Sequence, residues 1–123
     1  MIRRIAVAAL LAGCAAPRQA PVASFEPPTL HHEELQRASE EIRRRDAELQ
    51  QLDIQPAPAT PDCARIAQLR DTICTLAARI CQIADEQQPG SKAAINASLD
   101  CADGKTRCKR AAERMQARGC PPK

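Results

Sequence analysis

Residues 63–120 read CARIAQLRDTICTLAARICQIADEQQPGSKAAINASLDCADGKTRCKRAAERMQARGC, and their six cysteines are spaced as a mirror image. Cys74 and Cys81 lie seven residues apart, and so do Cys101 and Cys108. Cys63 precedes Cys74 by eleven, and Cys120 follows Cys108 by twelve. On an α-helix seven residues make almost two turns, a rise of about 10.5 Å that returns to the same face. Two antiparallel helices then bring the cysteines level in nested order: Cys81–Cys101, Cys74–Cys108 and Cys63–Cys120. The residue numbers of the two inner pairs add to the same total, and those of the outer pair to one more. The mirror point falls beside Gln87-Gln88-Pro89-Gly90-Ser91, the Pro-Gly turn signal of this half of the chain. Disulfide-linked Cα atoms lie about 5.5–6 Å apart. With a helix radius of about 2.3 Å, the stapled axes fall roughly 10 Å apart, near ordinary helix packing. The spacing therefore predicts an all-α fold: an antiparallel helical hairpin stapled by three disulfides, over residues 62–123.

The first hairpin helix is expected to start at Thr60 as N-cap with Pro61 at its first position, and to run to about Asp85. Its apolar stripe, Ile66, Leu69, Ile73, Leu76, Ile80 and Ile83, advances in alternating three- and four-residue steps. The stripe is centred about 120° from the cysteines, with Ala77 and Ala84 between and Ala67 beside the cysteines. The second helix, from about Ala93 to Gly119, offers Ala94, Ala97, Ala112, Met115 and Gly119 around its cysteines. Those small residues permit close approach but do not cover the stripe. Large contiguous apolar patches are rare on soluble monomers, so Ile66, Leu69, Ile73, Leu76, Ile80 and Ile83 are read as a contact surface. Its cover is the seam of residues 35–52 folding back, a second copy of the chain, or an envelope partner. The nested hairpin resembles the alpha-hairpinin and coiled-coil-helix folds in architecture. Those families space their cysteines differently, so the resemblance carries no function.

Residues 29–53 form a polar, amphipathic, short coiled-coil-like helix in this reading. Thr29 serves as N-cap, with Glu33 and Glu34 near the positive helix end. Leu35, Ile42 and Leu49 recur at heptad spacing, with Ala38, Arg45 and Leu52 at the alternate seam positions. Residues 54–61 are a Pro/Ala linker.

The chain opens with the basic Met1-Ile2-Arg3-Arg4, an apolar run from Ile5 to Ala12, and Leu11-Ala12-Gly13-Cys14. This is the layout of an export signal, and the apolar run is far shorter than the roughly 20 residues a membrane span needs. The four residues 11–14 resemble the lipobox of bacterial lipoproteins. The resemblance implies cleavage of residues 1–13 and a covalent lipid on Cys14, which becomes the first residue. It also implies a tether over residues 14–28 and, with Ala15 rather than Asp after the Cys, an outer-membrane anchor facing the periplasm. Two or more acyl chains hold a protein durably where one is marginal. Removing Cys14 from the seven cysteines leaves six, an even number suited to disulfides in an exported chain. The hairpin has no Trp or Tyr, and the one Phe is Phe25 in the tether. A core this small depends on staples, each contributing about 3 kcal/mol in the chain-entropy picture.

Charge is unevenly distributed. Residues 30–53 hold seven acids and four bases, whereas residues 92–123 hold eight bases and three acids. Arg107, Arg110, Arg114 and Arg118 form a helical stripe facing away from Cys101 and Cys108. Its readings are a solvated face, pairing with the acidic helix, or binding of an anionic envelope polymer or lipid phosphate. With no aromatic interleaved, nucleic acid is not the expected partner. His31 and His32 are adjacent and so diverge by about 100° on a helix, unlike the usual i, i+4 metal pair. No C-x-x-C, Ser-His-Asp or Gly-rich phosphate signature is present. The expectation is a non-catalytic lipoprotein without cofactor or metal, its disulfide-rich module serving interaction or structure. The alternative is a Cys-rich metal-sequestering envelope lipoprotein.

Overall fold

The computed structural model describes residues 31–56 and 60–122. They form three helices: α1 (His32–Ile54), α2 (Cys63–Glu86) and α3 (Lys92–Ala117). All three expected disulfides are present: Cys63–Cys120, Cys74–Cys108 and Cys81–Cys101, with Cα–Cα distances of 5.3, 4.7 and 4.7 Å. Cys14 and the residues expected to form a signal segment and a tether lie outside the described residues.

Local chemistry sets each helix end. The turn between α2 and α3 closes with Ser91 N–H donating to the Gln88 carbonyl at 3.1 Å. Pro89 follows Gln88, and Gly90 takes a φ of 76°. That is the order a type II turn demands, with Pro pre-set and Gly free to go left-handed. Ser91 then caps α3, its Oγ accepting from Ala94 N–H at 3.1 Å.

Three expected boundaries are corrected. Helix α2 is capped by Asp62, not Thr60, and begins at Cys63 rather than Pro61. The Asp62 carboxylate accepts from Arg65 N–H at 2.9 Å, satisfying an orphan donor at the positive helix end. Helix α1 is capped by His31, at φ 78°, with no side-chain cap; Thr29 lies outside the described residues. Helix α3 ends at Ala117 rather than Gly119. Gly119, at φ 74°, donates its N–H to Gln116 O at 2.9 Å, and Cys120 N–H reaches Met115 O at 3.1 Å. This paired closure, the Schellman motif, swings Cys120 back onto Cys63. The outer pair is one residue out of register because Cys120 sits past the helix end.

The hairpin does not stand alone. Helix α1 lies antiparallel to α2 and parallel to α3, in the angle the hairpin leaves open. The α2 stripe points into that angle, with Ile66, Leu69, Ile73, Ile80 and Ile83 each at most 1% exposed and Leu76 half-buried. Helix α1 meets it with Ala38, Ile42 and Leu49, supported by the partly buried Leu35 and Leu52. From α3 come Ala97, Ala111 and Met115; Ala111 rather than Ala112 is the inward residue. Gly104 is also buried on this side. A Cβ on it would lie 3.1 Å from Ala77 Cβ and 3.6 Å from Ile42 Cδ1, so the three helices converge there.

The stripe is covered within the chain by α1, one of the three covers the sequence left open, so its residues serve as core rather than as the contact for an envelope partner or a second copy. In α1 the seam is corrected at one position: Asp46, 2% exposed, takes the inward place expected of Arg45, which is only half-buried. A straight helix drifts by about 20° per heptad from a 3.5-residue repeat, which turns the next residue inward.

Candidate functional site

Charge pairs tie α1 to both arms of the hairpin at regular intervals. Against α2, Arg79 donates through Nε and Nη2 to Glu34 at 2.6 and 3.0 Å, and Arg65 bonds Glu48. The residue numbers of both pairs add to one total, the mark of antiparallel neighbours. Against α3, Arg107 Nη1 meets Asp46 Oδ2 at 2.6 Å and Arg114 Nη1 meets Asp53 Oδ2 at 2.9 Å, each pair separated by 61 residues. A constant separation marks parallel neighbours. Arg118 adds a contact to Asp53 at 2.8 Å and donates to the Leu52 carbonyl.

These contacts shift the titrating groups. The Arg79 guanidinium holds the Glu34 carboxyl below its ordinary value. Arg65 does the same to Glu48, and Arg45 to Glu41. The carboxylates reciprocally raise their arginines: Glu41 acts on Arg45, Glu34 on Arg79, and Asp103 followed by Asp46 on Arg107.

The arginine stripe is therefore largely committed inside the molecule. Arg107, Arg114 and Arg118 pair with acids of α1, the pairing with the acidic helix that the sequence offered as one reading. Arg110 alone of the four is exposed. Asp46 is the notable member of the network. Its Oδ2 also accepts from Gln50 at 3.1 Å, while its buried Oδ1 has no partner.

His31 sits at the other end of α1, with Nδ1 3.1 Å from Glu34 and Nε2 3.3 Å from Glu86. It joins the start of α1 to the last residue of α2. The six described cysteines have spent their sulfurs on one another. Among the described residues no three His, Cys, Asp or Glu side chains gather as metal ligands. Nor is any described helix long and apolar enough to cross a membrane.

Two open depressions flank Leu76. The larger, about 790 Å³, runs between α1 and α2 beside Glu34, Arg37, Glu41, Arg44 and Arg79. The smaller, about 480 Å³, lies along the outer side of α2 by Gln68, Asp71, Thr72 and Thr75. Both are troughs with charged or hydroxyl walls, and neither sets a nucleophile against a base.

Among the described residues, the large apolar side chains left in solvent are Ile54, Ile95 and Leu99, at 83, 57 and 65% exposure. Ile95 and Leu99 stand one turn apart on α3. Sequence reasoning passed over this pair, together with Asp46 and Gly104. Ile95 and Leu99 do not belong to the cysteine face, and a periodicity search centred on that face misses them. The comparisons with known proteins add no template: the chain matches no protein-family model, no curated protein and no solved structure.

Proposed function

We propose that this chain is an exported, lipid-anchored envelope protein whose disulfide-locked helical bundle is a non-catalytic interaction or structural module. The anchor is Cys14, within Leu11-Ala12-Gly13-Cys14. The observation that carries the reading is the division of the cysteines. Six pair off across the bundle, leaving Cys14 as the seventh. Disulfides persist in oxidising compartments such as the periplasm, and a lone thiol ahead of them suits acylation. Ala15 after the anchor favours the outer membrane, with the bundle on the periplasmic side.

The bundle suits a module that holds its shape rather than one that works by opening. Both hairpin helices are cross-linked near their ends and middle, and the third helix is pinned by ion pairs along its length. The intact mass of the protein extracted from envelope membranes tests the reading. The expected mass is that of residues 14–123 with three disulfides, plus diacylglycerol and one further acyl chain. Cys14→Ser removes the lipid mass and blocks the cleavage. An unlipidated chain cut elsewhere, or a Cys14→Ser chain that still takes up labelled fatty acid, defeats the assignment. Crosslinking in intact envelopes followed by pull-down then identifies the partner.

A further inference from the structure

The face of α3 turned away from the other helices is both apolar and cationic. At 100° per residue, Leu99 lies about 40° from Ile95, Ala102 about 20°, and Lys92, Lys109 and Arg110 within about 60°. All six are exposed. Glu113 is the one acid of this sector, 4.0 Å from Lys109. Lys92 and Arg110 have no carboxylate within ion-pair distance among the described residues.

The inward face of the same helix is made of Ala97, Gly104, Ala111 and Met115. Helix α3 therefore sends three small residues and one Met inward and its Ile and Leu outward, the reverse of what folding alone favours. Exposed aliphatics beside unpaired cations match a surface that is anionic outside and apolar just beneath. The chain's own path leads to such a surface. His31 touches Glu86, so α1 starts at the end of the bundle where α3 begins. Sixteen residues lie between Cys14 and His31, a reach of at most about 60 Å.

We infer that the outer face of α3 docks on an anionic phospholipid bilayer, with Ile95 and Leu99 entering the headgroup boundary and Lys92, Lys109 and Arg110 meeting lipid phosphates. The inference rests on the reading of Cys14 as a lipid anchor. Two aliphatic side chains bind a membrane weakly by themselves. A tether that keeps the bundle at high local concentration makes a weak contact sufficient.

The chain has no Trp, so Leu99→Trp supplies a single reporter and Gln82→Trp, on the exposed side of α2, a control. The lipidated protein is placed in vesicles of mixed phosphatidylglycerol and phosphatidylcholine, and in phosphatidylcholine alone. The expected result is a blue-shifted Leu99→Trp emission, quenched by brominated acyl chains, in the anionic vesicles only. Gln82→Trp stays unshifted. In a second arm, residues 14–123 carrying Cys14→Ser, produced without the basic and apolar residues 1–13, are sedimented with the same vesicles. There Ile95→Glu with Leu99→Glu lowers binding about tenfold or more, and raised salt weakens it. An unshifted Leu99→Trp in protein held to vesicles by its lipid overturns the docking. So does equal quenching of both reporters. A shift that follows protein concentration without vesicles assigns the face to a second copy and also overturns it. The unlipidated arm reads α3 whatever happens at Cys14, so failure of the anchor and failure of the docking face are distinguishable.

Discussion

Asp46 is a carboxylate in a position that an apolar residue would fill more cheaply. It is 2% exposed, its Oδ2 is bonded to Arg107 and Gln50, and its Oδ1 is unpartnered. Removing one partner of a buried pair costs about 3–5 kcal/mol because the other charge is stranded. Arg107 has a second carboxylate, Asp103, at 2.8 Å and is partly exposed, so it is not stranded when Asp46 goes. Arg107→Ala is therefore expected to destabilise the bundle more than Asp46→Leu does, by about 2 kcal/mol or more in chemical denaturation. Equal losses would mean that Asp46 is better hydrated than its burial implies. Gly104 poses the opposite problem. Ala is favoured over Gly inside a helix by about 1 kcal/mol, but the new Cβ meets Ala77 Cβ at 3.1 Å and Ala77 Cα at 3.3 Å. The neighbouring Cys74–Cys108 and Cys81–Cys101 staples keep the helices from parting. Overpacking costs about 1–3 kcal/mol, so Gly104→Ala should lower Tm slightly and Gly104→Val strongly. A raised Tm in Gly104→Ala would show that helix propensity wins and that the contact has slack.

Among elements, the hairpin was legible in the sequence because a covalent bond fixes which residues are level, and a constant index total follows. Helix α1 was legible in part. Leu35, Ile42 and Leu49 marked its face, but the 3.5-residue repeat placed Arg45 inward where the straight helix places Asp46. Its register was also written in charges, in Glu34 with Arg79, Glu48 with Arg65, Asp46 with Arg107 and Asp53 with Arg114. Opposite charges on polar helices pair in too many ways for that pattern to be chosen without the fold. The elements also differ in what holds them. Helices α2 and α3 are joined covalently, whereas α1 is joined by apolar contact and ion pairs. Glu34 and Glu48 titrate below their ordinary 4.5 when folded. Their stabilisation is thus fully present above about pH 4.5 and is lost as pH falls through the lower folded values. Acid should loosen α1 while the hairpin persists, each exposed pair contributing little by itself. Methyl NMR of Ile42 and Leu49 against Ala97 and Met115 follows the two parts separately. Identical behaviour of both sets from pH 7 to pH 3 contradicts this division.

At the scale of the whole molecule, α1 decides whether the stripe of α2 is core or liability. With α1 in place, Ile73 and Ile80 are at most 1% exposed, and a Lys there would bury a charge. Without α1 the same side chains face water across a continuous row from Ile66 to Ile83, and patches of that kind associate. One pair of substitutions should then act with opposite sign in two backgrounds. In the full chain, Ile73→Lys with Ile80→Lys should expel α1 and cost several kcal/mol, at about 2–5 kcal/mol for each large core side chain lost. The three disulfides still form, because the cysteines lie on the neighbouring face. In a variant lacking residues 15–55, the parent hairpin should self-associate, and the two lysines should return it to a monomer. Sedimentation velocity reads the association and thermal melting reads the stability. If the truncated hairpin is monomeric and melts like the full chain, then α3 and the staples protect the stripe by themselves. Helix α1 would in that case be an appendage rather than the third wall of the core.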